Sequence, residues 1–259
     1  MPIIISVANE KGGVGKTDLS VNLASCLAQE GKKVLLIDLD PQANATRYLL
    51  SEESPLTTAN LLTDSLVSIY DLAIETQVQG LSLIPASKAL SAVQLHLAAD
   101  PDMQFKLKRK LRFLTNHYDY ILIDTPPSLG VLTINALTAS NFVIVPLQTH
   151  YFALYGVSDL METVGKLRRE INPGLELLGI VLTMYDKRTR IAREVEAMTS
   201  DRFKDKLFAT RIPACVRAAE SPSHHKPVTL YAPGSSVAQS YRVLTQEFLQ
   251  CLKGCEITL

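Results

Sequence analysis

The chain has 259 residues, 47% hydrophobic and 20% charged, so it can bury a sizeable core yet is short enough for one α/β domain. Twenty-six basic residues balance twenty-six acidic ones, which excludes a strongly basic chain and requires any nucleic-acid surface to come from local clustering. No run of about 18 apolar residues is present to span a bilayer, and Met1 leads straight into IIISVA without a signal-peptide pattern, which argues against secretion. The cysteines Cys26, Cys215, Cys251 and Cys255 lack paired CxxC spacing and read as reduced cytoplasmic thiols. Cys251 and Cys255 lie one helical turn apart and could touch a metal, but no histidine or second pair accompanies them.

In chain order, short apolar runs predict strands at 3–8 (IIISVA), 33–38 (KVLLID), 81–85 (LSLIP), 120–124 (YILID), 142–146 (FVIVP) and 177–183 (LLGIVLT). Helical periodicity falls between them, at 19–31, where Gly31 supplies a stop, and at 154–171, where Leu154, Val157, Leu160, Val164 and Leu167 share one side. This alternation is that of βαβ units and predicts an α/β fold, a mainly parallel twisted sheet flanked by helices.

Residues 10–18, EKGGVGKTD, follow the first strand and open the first helix, the context in which a Gly/Lys/Thr pattern makes a phosphate site. Gly12, Gly13 and Gly15 permit backbone geometry and close approach that a β-carbon blocks. Backbone N–H groups, backed by a helix N-terminus, can then point at phosphate oxygens. Lys16 is placed to bridge β- and γ-phosphates, and the Thr17 hydroxyl to ligate Mg2+. A chance glycine-rich turn is the plain alternative, and the register of strand, loop and helix disfavours it.

Asp38 and Asp40 end the second strand in LLIDLDPQAN, and Asp124 ends a later one in YDYILIDTPPS. Carboxylates at the C-terminal ends of neighbouring parallel strands converge on the crevice where such a sheet binds its ligand. Asp124 suits holding Mg2+ through water. Asp40 suits orienting or deprotonating an attacking water and, with Thr17 and Asp124, completes the candidate metal set. Each aspartate taken singly is a strand-end turn residue; matching strand ends make coincidence a poor account.

KGGVGKT, DLDPQAN, YILIDTPPSLG, TMYDKRTRIAREV and RIPACVRAAESPSHHKP, in that order over nearly the whole chain, resemble the ParA/Soj partition ATPases of the deviant Walker-A class. Relatives in that class include MinD-type regulators and the nitrogenase iron protein. The resemblance implies a single P-loop ATPase domain over residues 1–259 without an N-terminal helix-turn-helix extension. It also implies ATP and Mg2+ as cofactors, weak hydrolysis stimulated by a ParB-type partner, an ATP-sandwich homodimer, nonspecific binding to double-stranded DNA, and a cytoplasmic, nucleoid-associated location. By the same resemblance Lys11 reaches the nucleotide of the partner subunit, as an arginine finger does, and Gly12 faces that subunit. Gly12, Gly13, Val14, Gly15, Lys16, Thr17 and Asp18 make the phosphate site, and Met184 and Pro213 line the adenine pocket.

Asp18 departs from the family, which usually has threonine or serine there. A carboxylate in the first turn suits the helix dipole but repels phosphate and removes a hydroxyl donor, so weakened ATP holding is expected. Three basic clusters stand out: KLKRKLR (106–112), KLRR (166–169) and KRTRIAR (187–193). A solvated face explains such runs as readily as a binding surface. The resemblance places Lys187, Arg188 and Arg190 in one DNA-contacting region and Arg217 in a second, which combine across the dimer into one track that grips phosphates. IPRN of the family reads Ile212, Pro213, Ala214, Cys215, one basic residue fewer.

A MinD-like membrane-bound regulator needs a basic amphipathic C-terminal helix, and QEFLQCLKGCEITL has one lysine. An iron–sulfur ATPase needs a switch-region cysteine, which TPPSLGVLTINA lacks. A nucleotide-binding regulator that does not hydrolyse is disfavoured by Lys16, Thr17, Asp40 and Asp124, and Asp18 keeps it open.

Overall fold

The computed structural model describes residues 1–254 apart from Ala98, Pro101, Phe113, Thr115, Asn116, Tyr151 and Phe152, and describes no side chains for 153–155. Cys255, and with it the Cys251/Cys255 pair, lies outside the described residues, as do the side chain of Leu154 and the last residues of the C-terminal segment.

Eight strands form one sheet: β1 (Ile3–Val7), β2 (Val34–Asp38), β3 (Ile74–Glu75), β4 (Leu81–Ile84), β5 (Tyr120–Asp124), β6 (Phe142–Gln148), β7 (Glu176–Tyr185) and β8 (Leu207–Pro213). Their order is β3-β4-β2-β5-β1-β6-β7-β8. All neighbours run parallel except β3 against β4. The helices are α1 (Lys16–Gln29), α2 (Asn44–Leu49), α3 (Thr58–Thr63), α4 (Ile69–Leu72), α5 (Ala89–Leu97), α6 (Lys106–Leu111), α7 (Val131–Ala139), α8 (Ala153–Glu170), α9 (Arg190–Phe203), α10 (Val216–Glu220), α11 (Val228–Tyr231) and α12 (Ser236–Lys253).

The continuous apolar strands divide residue by residue between two faces, as period-2 geometry requires. Along β2, Leu36 joins a core closed by α1, α2 and α12, whereas Leu35 and Ile37 join another closed by α3, α5, α6 and α7. A third core lies over β6 and β7, where Val157, Leu160, Val164 and Leu167 of α8 are buried at the predicted spacing. Tyr241 and Phe248 of α12 anchor the first core, each no more than 2% exposed.

Two strands escaped the sequence reading. β3 is two residues long, and β8 is an edge strand whose LFATRIP is only partly buried, so neither offers a continuous apolar run. β6 outlasts the predicted stop at Pro146. Ile144 O accepts the Ala8 N–H, so Ile144 and Pro146 address the β1 side, and β1 has ended at Val7. The proline's missing donor therefore breaks no ladder bond. α1 starts at Lys16 instead of Leu19, because Gly15 adopts a left-handed conformation (φ 83°) as its N-cap.

Candidate functional site

β1 delivers the phosphate loop between its two neighbours, β5 and β6. Gly13 and Gly15 both take positive φ, 73° and 83°, so the turn into α1 requires glycine at these two positions. Gly12 differs: it is exposed, and a β-carbon there would meet only Pro127 Cβ at 3.8 Å. Nothing within the chain demands glycine at Gly12. Val14 turns its side chain into the interior and its carbonyl accepts the Thr183 hydroxyl at 2.8 Å, leaving only backbone to a ligand.

The loop forms one wall of a cleft of about 570 Å³ lined also by Lys16, Thr17, Asp18, Asp40, Arg47 and Tyr48. Lys16 is buried, and its Nζ donates to the Lys11 carbonyl at 2.8 Å; burial lowers its affinity for a proton, with Asp124 and Asp40 opposing that effect. The Lys11 side chain does not line the cleft of its own chain.

Under the loop lies a carboxylate cluster. Asp124 is fully buried and accepts Thr17 Oγ1 and Ser20 Oγ, both at 2.8 Å. Burial pushes its carboxyl up to about 8, helped by the charge of Asp38 and opposed by the two hydroxyls. Asp38, also fully buried, accepts the Thr46 N–H at 2.8 Å, the Thr46 hydroxyl at 2.7 Å and the Asp40 N–H at 3.0 Å. It thus fastens the segment between β2 and α2 that presents Asp40, whose Oδ1 in turn accepts the Gln42 N–H at 2.9 Å. Asp38 is a clasp and Asp40 faces the cleft; the sequence reading assigns the water-facing role to Asp40 and no role to Asp38. Buried carboxylates beside a threonine hydroxyl form a hard oxygen donor set suited to Mg2+. Thr17, Asp124 and Asp40 could hold that ion directly or through water.

A second cavity of about 240 Å³ adjoins the first and is mostly apolar, with Met184, Ile212, Pro213, Cys215 and Tyr241 in its walls. Met184 and Asp18 border both cavities. This smaller cavity fits a flat, uncharged base and the larger one a charged tail. Asp18 is partly buried; desolvation pushes its carboxyl up to about 6 against the hydrogen-bonding pull of Tyr48.

Ser20, Thr46, Arg47 and Tyr48 were not singled out from sequence. Ser20 lies one turn after Lys16 on the buried side of α1, and α2 follows DLDPQAN directly, so each was within reach of a reading that continued past its motif.

The basic clusters separate. In α6, Lys106 pairs with Asp100 at 2.7 Å, Arg109 with Asp102 at 2.6 Å, and Lys110 Nζ donates to the carbonyls of Asp64, Ser65 and Val67. Lys110 holds the 64–67 loop, whereas Lys106 and Arg109 form surface pairs. Lys187, Arg188, Arg190 and Arg217 are exposed. Arg188 pairs with Asp186, Arg190 with Glu194 and Arg217 with Glu220. Such exposed pairs are each worth at most about 1 kcal/mol.

A phosphate loop after the first strand, a carboxylate at the end of the adjacent strand and a base-sized pocket beside them define a P-loop nucleoside triphosphatase. Residues 3–177 match the family model described as "AAA domain". The chain is 44% identical over 246 residues to the sporulation initiation inhibitor protein Soj of Bacillus subtilis, covering 94% of this chain and 97% of that one. It is also 44% identical to the chromosome-partitioning ATPase Soj of Thermus thermophilus, covering 95% and 94%. Among solved structures, cobyrinic acid a,c-diamide synthase from Mycobacterium smegmatis with bound ATP analog and magnesium superposes with a TM-score of 0.85 at 33% identity over 99% of this chain and 98% of that one. The chain belongs to the ParA/Soj family of chromosome-partitioning ATPases.

Proposed function

We propose that the chain is an Mg2+-dependent ATPase whose ATP-bound form is a sandwich homodimer that holds double-stranded DNA without reading its sequence. A ParB-type partner stimulates hydrolysis, and the cycle segregates a chromosome or plasmid over the nucleoid, in the cytoplasm. The observation that carries this reading is the convergence of Lys16, Thr17 and Asp40 on one cleft, with buried Asp124 directly behind Thr17, and with Lys11 of the same chain absent from the lining.

Lys16 exchanges the Lys11 carbonyl for β- and γ-phosphate oxygens, an electrostatic contact strengthened by its burial. The loop backbone from Gly12 to Thr17 and the N-terminus of α1 cradle the same phosphates. Thr17 and Asp124 would hold a magnesium ion, which when bound would neutralise charge on the triphosphate. Asp40 Oδ1 is anchored by Gln42, which leaves Oδ2 to orient a water towards the γ-phosphate. Lys11 serves the partner subunit's nucleotide, and exposed Gly12 lies where the two subunits close. The adenine enters the pocket of Met184 and Pro213.

Arg190 and Arg193 occupy the first turn of α9, where the helix dipole disfavours cations and favours an anion. A DNA phosphate at that end would satisfy both the dipole and Lys187, Arg188 and Arg190. Each arginine must trade a carboxylate for a phosphate, so a single copy binds weakly and two joined copies bind firmly.

The test is turnover together with mass in solution. Lys16→Ala abolishes ATP hydrolysis, and Asp40→Ala sediments as a dimer with ATP and as a monomer with ADP. A monomer under every condition defeats the sandwich.

A further inference from the structure

Among the described residues, the cleft has two cationic side chains in its walls, Lys16 and Arg47. Lys16 sits at the end where Asp40 and Asp124 lie. Arg47 projects from α2 with an exposed side chain. Arg188, Arg190, Arg211 and Arg217 each pair with a carboxylate, whereas the Arg47 guanidinium has no carboxylate partner among the described residues. Its backbone is fixed. The Arg47 carbonyl accepts from His225 Nδ1 at 2.8 Å, and the neighbouring Tyr48 hydroxyl lies 2.6 Å from Ser221 Oγ. The α2 helix is thereby tied to the turn at 221–225 while the guanidinium stays available.

Asp18 marks the place where a cation is needed. It borders both the phosphate cleft and the base pocket, so it stands at their junction, where the ribose and the first phosphate of a nucleotide must lie. A carboxylate at that junction opposes phosphate charge. Tyr48, next to Arg47 in sequence, lines the cleft together with Asp18, which brings α2 to the same junction.

We propose that Arg47 is a nucleotide-binding residue that contacts the α-phosphate and offsets the charge of Asp18. This rests on the nucleotide-site reading above. The guanidinium fork suits two phosphate oxygens at once. Arg47 also lines a third cavity, of about 540 Å³, that contains Glu52 and Glu53. The measurement decides which side it serves.

The experiment titrates fluorescent methylanthraniloyl-ADP and methylanthraniloyl-ATP into wild type, Arg47→Gln, Asp18→Asn and the double variant, with thermal melts to show that each folds. Arg47→Gln is expected to raise Kd about tenfold for both nucleotides, as removal of one charge-assisted hydrogen bond does, and to do so in the Asp18→Asn background as well. A weakening confined to ATP places Arg47 at the γ-phosphate and overturns the inference. So does an unchanged ADP affinity, or a weakening that vanishes with Asp18→Asn, which reduces Arg47 to a neutraliser of Asp18. If wild type itself binds no ADP, the nucleotide-site reading fails and takes the inference with it.

Discussion

Asp38 and Asp124 face one another in register across the β2–β5 ladder at the C-terminal ends of both strands, and neither is exposed. Two carboxylates so placed would repel without other partners, and each has a separate set. Asp38 takes the donors of the segment leading to α2, and Asp124 those of α1. The nucleotide site is thus built on two adjacent strand ends, one fastening the segment that presents Asp40 and the other serving the phosphate loop.

Replacing Asp38 by alanine leaves three donors inside the protein without an acceptor. The relief of repulsion on Asp124 offsets only part of this, so Asp38→Ala is expected to lower stability by about 2–4 kcal/mol. Urea unfolding of the nucleotide-free protein measures it. Because the Asp40 N–H loses its anchor, ATP turnover should fall as well.

Gly12→Val tests the open space at that position. A β-carbon there would meet only Pro127 Cβ at 3.8 Å, so the variant should melt within about 2 °C of wild type, as for a neutral surface change. It should still bind ATP, yet stay monomeric in sedimentation, if the proposed second subunit closes over this position.

Asp18→Thr removes a carboxylate from the junction of base pocket and phosphate cleft and restores a hydroxyl donor. ATP affinity is expected to rise by roughly three- to tenfold, the effect of adding one charge-assisted hydrogen bond or removing one repulsion. Calorimetric titration reads it directly, and an unchanged affinity would mean that Asp18 does not face the nucleotide.

The thiols offer a chemical probe with a defined sign. Cys26 is buried in the first core, and burial pushes its thiol up to about 11. The folded state therefore favours the protonated form; the stabilisation is present below the ordinary thiol pKa of 9.0 and is lost as pH rises through 11. At pH 8 Cys26 should resist maleimide while partly buried Cys215 reacts. Since Cys215 lines the base pocket, ADP should slow its labelling and leave Cys26 unchanged.

The sequence made the parallel strands and phosphate loop legible because buried strands are continuous apolar runs and the loop's residue types serve one chemistry. Lys16, Thr17 and Asp40 line one cleft, and Asp124 lies buried behind Thr17. What stayed hidden depends on long-range placement. Asp40 is assigned to the cleft from sequence, but Asp38 carries no role there, and only the Thr46 hydrogen bonds show Asp38 to be the clasp. The edge strand β8 has no periodicity of its own and is held by its pairing with β7 and by α12. The basic run at 106–112 leaves a solvated face and a binding surface equally open, and the pairing of Lys106 with Asp100, Arg109 with Asp102 and Lys110 with backbone carbonyls is not legible there. Charge runs reveal cations and say nothing of the acceptors folded beside them.

Binding to long nonspecific DNA, with ATP, with ADP and without nucleotide, for wild type and Asp40→Ala at about 50 and about 200 mM salt, tests the central claim most directly. The account predicts tight binding with ATP alone, retained or strengthened in Asp40→Ala, and weakened by the higher salt by about tenfold or more, as phosphate contacts through Lys187, Arg188, Arg190 and Arg217 of two joined copies require. Equal binding in all three nucleotide states, or none in any, would contradict it.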